Sequence, residues 1–107
     1  MLKKKERLTK KEFDRSFAVG KRYHSPCIQL IYEETPDFHG AAVVGKKVFK
    51  NAVDRNRLRR RLYGVLYRYH KTNPLQGTFI LIAKSALKEV SKNNFSQEIE
   101  SLLKKVH

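Results

Sequence analysis

An apolar stripe that runs straight through a block of arginines constrains this chain more than any other feature. Leu58, Leu62, Val65, Leu66 and Tyr69 recur at i, i+4, i+7, i+8 and i+11, the spacing of one face of an amphipathic helix. Arg57, Arg60, Arg61 and Arg68 fall outside that stripe, with Asn56, Tyr63 and Tyr67 among them. A helix built this way must bury one side against other elements and leave the other side accessible. The pattern predicts a long helix from about Ala52 to His70, entered through the loop Lys46 to Asn51.

The stretch Gly45 to His70 holds Lys46, Lys47, Lys50, Arg55, Arg57, Arg59, Arg60, Arg61 and Arg68 against a single acid, Asp54, in a chain of formal net charge +14. Cations at this density repel one another in water. They are usually retained where a polyanion neutralises them and releases its condensed counterions. A charge run is commonly only a solvated helix face. Here the stripe continues through the basic cluster, and acids that would form i,i+4 pairs are almost absent, so structured nucleic-acid binding is favoured.

Other features narrow the class. A chain of 107 residues, 40% of them hydrophobic, is expected to form one domain with one core and is too apolar for the disordered class. Cys27 stands alone, so no internal disulfide and no zinc site are expected, in keeping with a reducing cytoplasm. The basic N-terminal run MLKKKERLTKKEF is not followed by an apolar segment and does not read as a secretory signal. The longest apolar run, Phe79 to Ala83, is far too short to span a bilayer. The basic helix also lacks the Phe and Leu wedge of interfacial helices, so no membrane partner is expected. His24, His39, His70 and His107 are scattered, and the acids form no group beyond Glu33, Glu34 and nearby Asp37. No catalytic or metal-binding residue is assigned to the chain, and a protein-only nuclease is disfavoured.

Thr9 followed by Glu12 is a capping-box pattern that opens a short helix over about Lys10 to Val19, ended by Gly20, with Phe13 and Phe17 on one face. Cys27 to Glu33 reads as a strand with Ile28, Leu30 and Tyr32 on one side. After a turn at Thr35-Pro36-Asp37 and Gly40, Ala41 to Val44 resumes as a second strand, expected to run antiparallel to the first. Asn73-Pro74 and Gly77 close the long helix, and Thr78 to Ala83 suits the middle of a sheet. A last helix runs from about Asn94 or Phe95 to Val106 on the stripe Phe95, Ile99, Leu102, Leu103 and Val106. The order is αββαβα, a small two-layer α/β (α+β) sandwich with helices packed on a three- or four-stranded sheet.

The run Ala52-Val53-Asp54-Arg55-Asn56-Arg57-Leu58-Arg59-Arg60, preceded by the Lys46-Lys47 pair, resembles the protein subunit of bacterial ribonuclease P. Leu8-Thr9-Lys10-Lys11-Glu12-Phe13 with Phe17, Gly20 to Tyr23, Leu30 to Tyr32, Val44 to Lys47 and Phe79 to Lys84 follow in the order seen in that family, so the likeness spans essentially the whole chain. It implies a βαβ unit with an unusual left-handed crossover, where the general rule predicts a right-handed one. It also implies a catalytic RNA that removes the 5′ leader of precursor tRNA, with Mg2+ held mainly by the RNA subunit and substrate. The protein's partners would be that RNA and precursor tRNA, with no protein oligomer required. Lys46, Lys47, Arg55, Asn56, Arg57, Arg59 and Arg60 match the RNA-facing motif, and Lys50, Arg61 and Arg68 extend the same basic surface. Phe13, Phe17 and Tyr32, the last after a one-residue gap, match the aromatic side of the cleft for the leader. Gly45 stands where the family usually has Ser, and Tyr63-Gly64 replaces Arg-Glu.

Overall fold

The computed structural model describes residues 8–106. The reading of the N-terminus as no secretory signal falls largely on residues 1–7, and one of the four histidines is residue 107; both lie outside the described part. The elements are α1 (Lys10–Val19), β1 (Lys21–His24), β2 (Ile28–Glu33), β3 (His39–Val43), α2 (Ala52–Thr72), β4 (Thr78–Ala83), a 3-10 turn (Ser85–Glu89) and α3 (Lys92–Lys104). The expected αββαβα order therefore gains one strand, β1, and becomes αβββαβα. The fold is mixed α+β with a four-stranded sheet and three helices.

The sheet order is β1-β2-β4-β3. β4 lies in the interior between antiparallel β2 and parallel β3, as its continuous apolar run suggests. Relative to β2, β3 runs antiparallel, as expected, but β3 is not its neighbour in the sheet. It pairs with β4, and α2 forms the crossover between those parallel strands.

Strand alternation divides the sheet into two faces. Ile28, Leu30, Phe79, Leu81 and Ala83 face a large core shared with Leu58, Leu62, Val65 and Leu66 of α2 and with Phe95, Ile99, Leu102 and Leu103 of α3. Both predicted stripes are thus the packing faces of their helices. Leu62, Leu66, Ile99 and Leu103 are fully buried, and truncating such a Leu to Ala costs about 2–5 kcal/mol. On the opposite face Ile31, Ala41 and Ile80 form a smaller cluster, with Leu8 and Phe13 packed on it. α1 therefore adds a partial third layer on the side away from α2.

A capping box closes the first turn of α1, and two contacts to Glu33 of β2 fasten the helix there. The Thr9 hydroxyl accepts from the Glu12 N–H at 3.2 Å, and the Glu12 carboxylate accepts from the Thr9 N–H at 2.9 Å. The buried Ser16 hydroxyl donates to Glu33 Oε1 at 2.6 Å, and Arg15 meets the same carboxylate at 3.1 Å. Entry into β4 depends on Gly77 at φ 114°, a conformation disfavoured for residues with a Cβ. A Cβ there would also stand 2.7 Å from the Tyr32 ring.

Candidate nucleic-acid interface

The basic surface starts in the loop before α2. Asn51 caps the helix by accepting from the Val53 N–H at 2.8 Å, which fixes the start of α2 at Ala52. Arg55 folds back beneath this turn: its Nη1 donates to the Phe49 carbonyl at 3.0 Å and the Lys50 carbonyl at 2.7 Å. One arginine thereby staples the loop that presents Lys46, Lys47 and Lys50, all exposed. Arg59, half-buried, donates to the Asn56 side-chain oxygen and orients that amide.

The remaining cations point away from the core. Arg57, Arg60, Arg61 and Arg68 are exposed. Arg57 approaches Asp54 at 3.8 Å, a loose surface pair of little energetic weight. The Arg61 guanidinium lies over the Phe95 ring at 4.1 Å. Among the described residues, Arg60, Arg61 and Arg68 have no carboxylate at ion-pair distance. The ten predicted basic-surface positions therefore come together on α2 and its entry loop, but they divide by use. Arg55 and Arg59 bond to the protein, and the others present free charge or, at Asn56, an oriented amide.

A second surface lies across the sheet. The rings of Phe13 and Phe17 stack at 5.8 Å. Phe13 packs on the small cluster, whereas Phe17 is 40% exposed. Arg22 of β1 covers the Phe17 ring at 4.8 Å and donates to the Phe17 carbonyl at 2.8 Å. The structure does not bring Tyr32 to these two. Tyr32 is on the α2 side, its ring 5.0 Å from Phe79, and burial pushes its phenol pKa up. The β2 residue that faces α1 is Ile31. Alternation carries the signal: if Ile28, Leu30 and Tyr32 share one side of a strand, Ile31 is on the other. Arg22 is a further residue of this surface that the sequence does not reveal, because the short basic segment Lys21–His24 does not read as a strand.

Two groups of catalytic type, His70 and Cys27, are engaged in packing and hydrogen bonding. His70 stacks on Phe38 at 3.9 Å, and its Nδ1 accepts from the Leu75 N–H at 2.9 Å. Cys27 is buried, donating to Glu98 Oε2 at 3.2 Å, and burial raises its thiol pKa. Among the described residues, no three His, Cys, Asp or Glu side chains are grouped to hold a metal ion. No helix there is long and apolar enough to cross a membrane.

The Ribonuclease P family model matches residues 2–107. The Ribonuclease P protein component of Petrotoga mobilis is 38% identical over an alignment of 111 residues that covers 97% of this chain and 91% of that protein. The component from a Nitratiruptor species is 34% identical over 98 residues, 92% of this chain and 88% of the relative. The solved RNase P protein from Thermotoga maritima superimposes with a TM-score of 0.83 at 22% identity, covering 95% of this chain and 98% of that one.

Proposed function

The chain belongs to the ribonuclease P protein family, and on that premise we propose that it binds the catalytic RNA through α2 and its entry loop. We propose further that it holds the 5′ leader of precursor tRNA over α1 and the adjoining sheet face. The observation that carries this reading is the division of surfaces. Exposed cations with almost no carboxylate partners cover α2, while the exposed aromatic ring of Phe17 stands on the opposite side of the sheet.

Each surface suits its task. Guanidinium forks pair with phosphate oxygens in two parallel hydrogen bonds, and lysines add point charge. Arg57, Arg60, Arg61 and Arg68 are placed to meet backbone phosphates, with Lys46, Lys47 and Lys50 extending the field. Phe17, with Phe13 beneath it, offers a ring on which an unpaired base stacks with little sequence preference, worth about 1–3 kcal/mol per base. Chemistry then resides in the RNA, and the 107 residues act as one RNA-binding domain. Mg2+ is held by phosphates of the RNA and substrate, and this chain contributes by lowering the repulsion between those two polyanions.

The test is reconstitution. Purified protein is added to a transcribed ribonuclease P RNA at a magnesium concentration too low for the RNA to act alone. Recovery of leader removal from precursor tRNA is expected, with no cleavage by the protein in the absence of that RNA. Tight RNA binding without recovery of cleavage would instead indicate an RNA chaperone or a ribosomal protein.

A further inference from the structure

The helix that carries Phe17 has little apolar hold on the sheet. Phe13 and, just ahead of the helix, Leu8 are its partly buried contacts with the cluster of Ile31, Ala41 and Ile80. The one residue that α1 buries is a serine, Ser16. Its hydroxyl donates to Glu33 Oε1 at 2.6 Å, the length of a charge-assisted bond, while Glu33 Oε2 takes Arg15 at 3.1 Å. The Glu33 side chain is 14% exposed and that of Arg15 73%. The ion pair is therefore screened and weak, and the hydroxyl bond is the one sheltered from water.

Tight and open sides of α1 lie apart. Just past its C-terminal end, a Cβ on Gly20 would stand 2.6 Å from Ile31 Cγ2, so here the chain is at closest approach to β2. Along the flank nearer the N-terminus, a cavity of about 210 Å3 separates Glu12, Arg15 and Ser16 from Asp37, His39 and Thr78. A helix held close at one end and open along one flank has room to roll about its axis. Apolar contact does not set direction, whereas a hydrogen bond does. Ser16 and Phe17 are successive residues, about 100° apart around the helix, so fixing one fixes the direction of the other.

We propose that Ser16 and Glu33 are positioning residues for the leader. Their bond stops α1 from rolling into the cavity and so sets where Phe17, with Arg22 over its ring, is presented. The inference rests on the leader reading of α1. It adds two residues to that reading which touch no RNA.

The test reads the ratio of affinities of the assembled holoenzyme for precursor and leaderless tRNA, beside NMR of the protein. The Arg22 guanidinium lies over the Phe17 ring at 4.8 Å, so Arg22 side-chain protons carry a ring-current shift that reports the direction of the ring. Ser16→Ala and Glu33→Leu should each lower the ratio about threefold or more, the effect of one lost hydrogen bond, and collapse that shift. Affinity for the RNA subunit should stay within about twofold of wild type, α2 being on the other face of the sheet. Glu33→Gln keeps an acceptor oxygen for the Ser16 hydroxyl and loses only the screened pair with Arg15, so its ratio should also stay within about twofold. Ile99→Val removes a methyl from the buried face of α3, a destabilisation remote from α1 that should leave ratio and shift unchanged.

Thermal unfolding establishes that each variant is folded. Should Glu33→Leu fail to fold, Ser16→Ala decides, since alanine favours the helix by propensity and a loss cannot come from a weakened α1. A folded Ser16→Ala protein with wild-type ratio and shift would overturn the positioning role and leave the leader reading standing. So would a lost shift at an unchanged ratio, or an equal loss of ratio in Ile99→Val. A wild-type holoenzyme that binds precursor and leaderless tRNA equally would remove the leader reading itself, and the positioning role with it.

Discussion

Arg55 shows how much a residue's use depends on what its side chain touches. It stands in the middle of the basic motif, yet its guanidinium is directed at the Phe49 and Lys50 carbonyls. Arg60, five residues on, is exposed and makes no ion pair with a described carboxylate. The two arginines should therefore separate on mutation. Arg55→Ala should lower stability by about 1–3 kcal/mol, because carbonyls bonded to a charged donor lose it. Arg60→Ala should change stability by less than about 0.5 kcal/mol while weakening RNA binding. Urea unfolding alongside RNA titration measures both, and equal stability of the two variants would contradict the stapling role of Arg55. Cys27 offers a second residue-level test. Its thiol is buried, and burial pushes its pKa up, whereas the thiolate is the reactive form. Alkylation by iodoacetamide should thus be slow in native protein and accelerate in parallel with urea unfolding. Fast labelling of folded protein would show that the pocket opens.

At the scale of elements, α1 depends on its first turn. Hydrogen bonding from the Thr9 N–H, then from its side chain, holds the Glu12 carboxyl pKa below its ordinary value of 4.5. A carboxyl depressed in the folded state stabilises fully above its unfolded pKa, and that contribution fades as pH falls through the folded value. The Glu12 carboxyl followed by NMR should therefore titrate below 4.5, with the Thr9 amide shift moving alongside it. Thr9→Ala should return the titration towards the ordinary value; a midpoint at or above 4.5 in wild type would show the box absent in solution. This turn is legible in the sequence because a capping box is a local chemical pattern. The same holds for the stripes of α2 and α3, whose periods read directly as buried faces. Pairing is not local. β1 is hidden from such a reading because Lys21–His24 is short, basic and mostly exposed, an edge strand held by β2 rather than by its own apolar content. β3 carries apolar residues that any neighbour could cover, and only tertiary packing assigns it to β4. Tyr32 reaches the leader cleft only through a gapped match, whereas the alternation of β2 alone turns it towards the α2 core and turns Ile31 towards α1.

For the whole molecule, the sheet acts as a partition, with α2 and α3 on one face and α1 on the other. On the proposed reading, charge on one side and an aromatic shelf on the other would let two polyanions be held at once without competing for the same residues. In the proposed assembly the α2 side answers mainly to electrostatics. If about six phosphates are neutralised, affinity for the RNA should fall by about three decades between 50 and 200 mM salt. Arg57→Ala with Arg60→Ala should flatten that dependence and weaken assembly, leaving the discrimination between precursor and mature tRNA unchanged. Phe17→Ala should do the reverse. Its ring is 40% exposed, so its removal should leave folding nearly intact, while a truncated buried Phe would cost about 3–5 kcal/mol. Phe13 packs on Ile31, Ala41 and Ile80, so its alanine variant mixes a folding defect with a binding one and is the poorer probe. The measurement is the ratio of affinities of the assembled holoenzyme for precursor and leaderless tRNA, taken beside thermal unfolding of each variant. Phe17→Ala should lower that ratio about fivefold or more, within the range for one stacked base, at unchanged Tm. A ratio equal to wild type in a normally folded Phe17→Ala protein would mean that the leader does not lie on α1, and the aromatic shelf would then need another ligand.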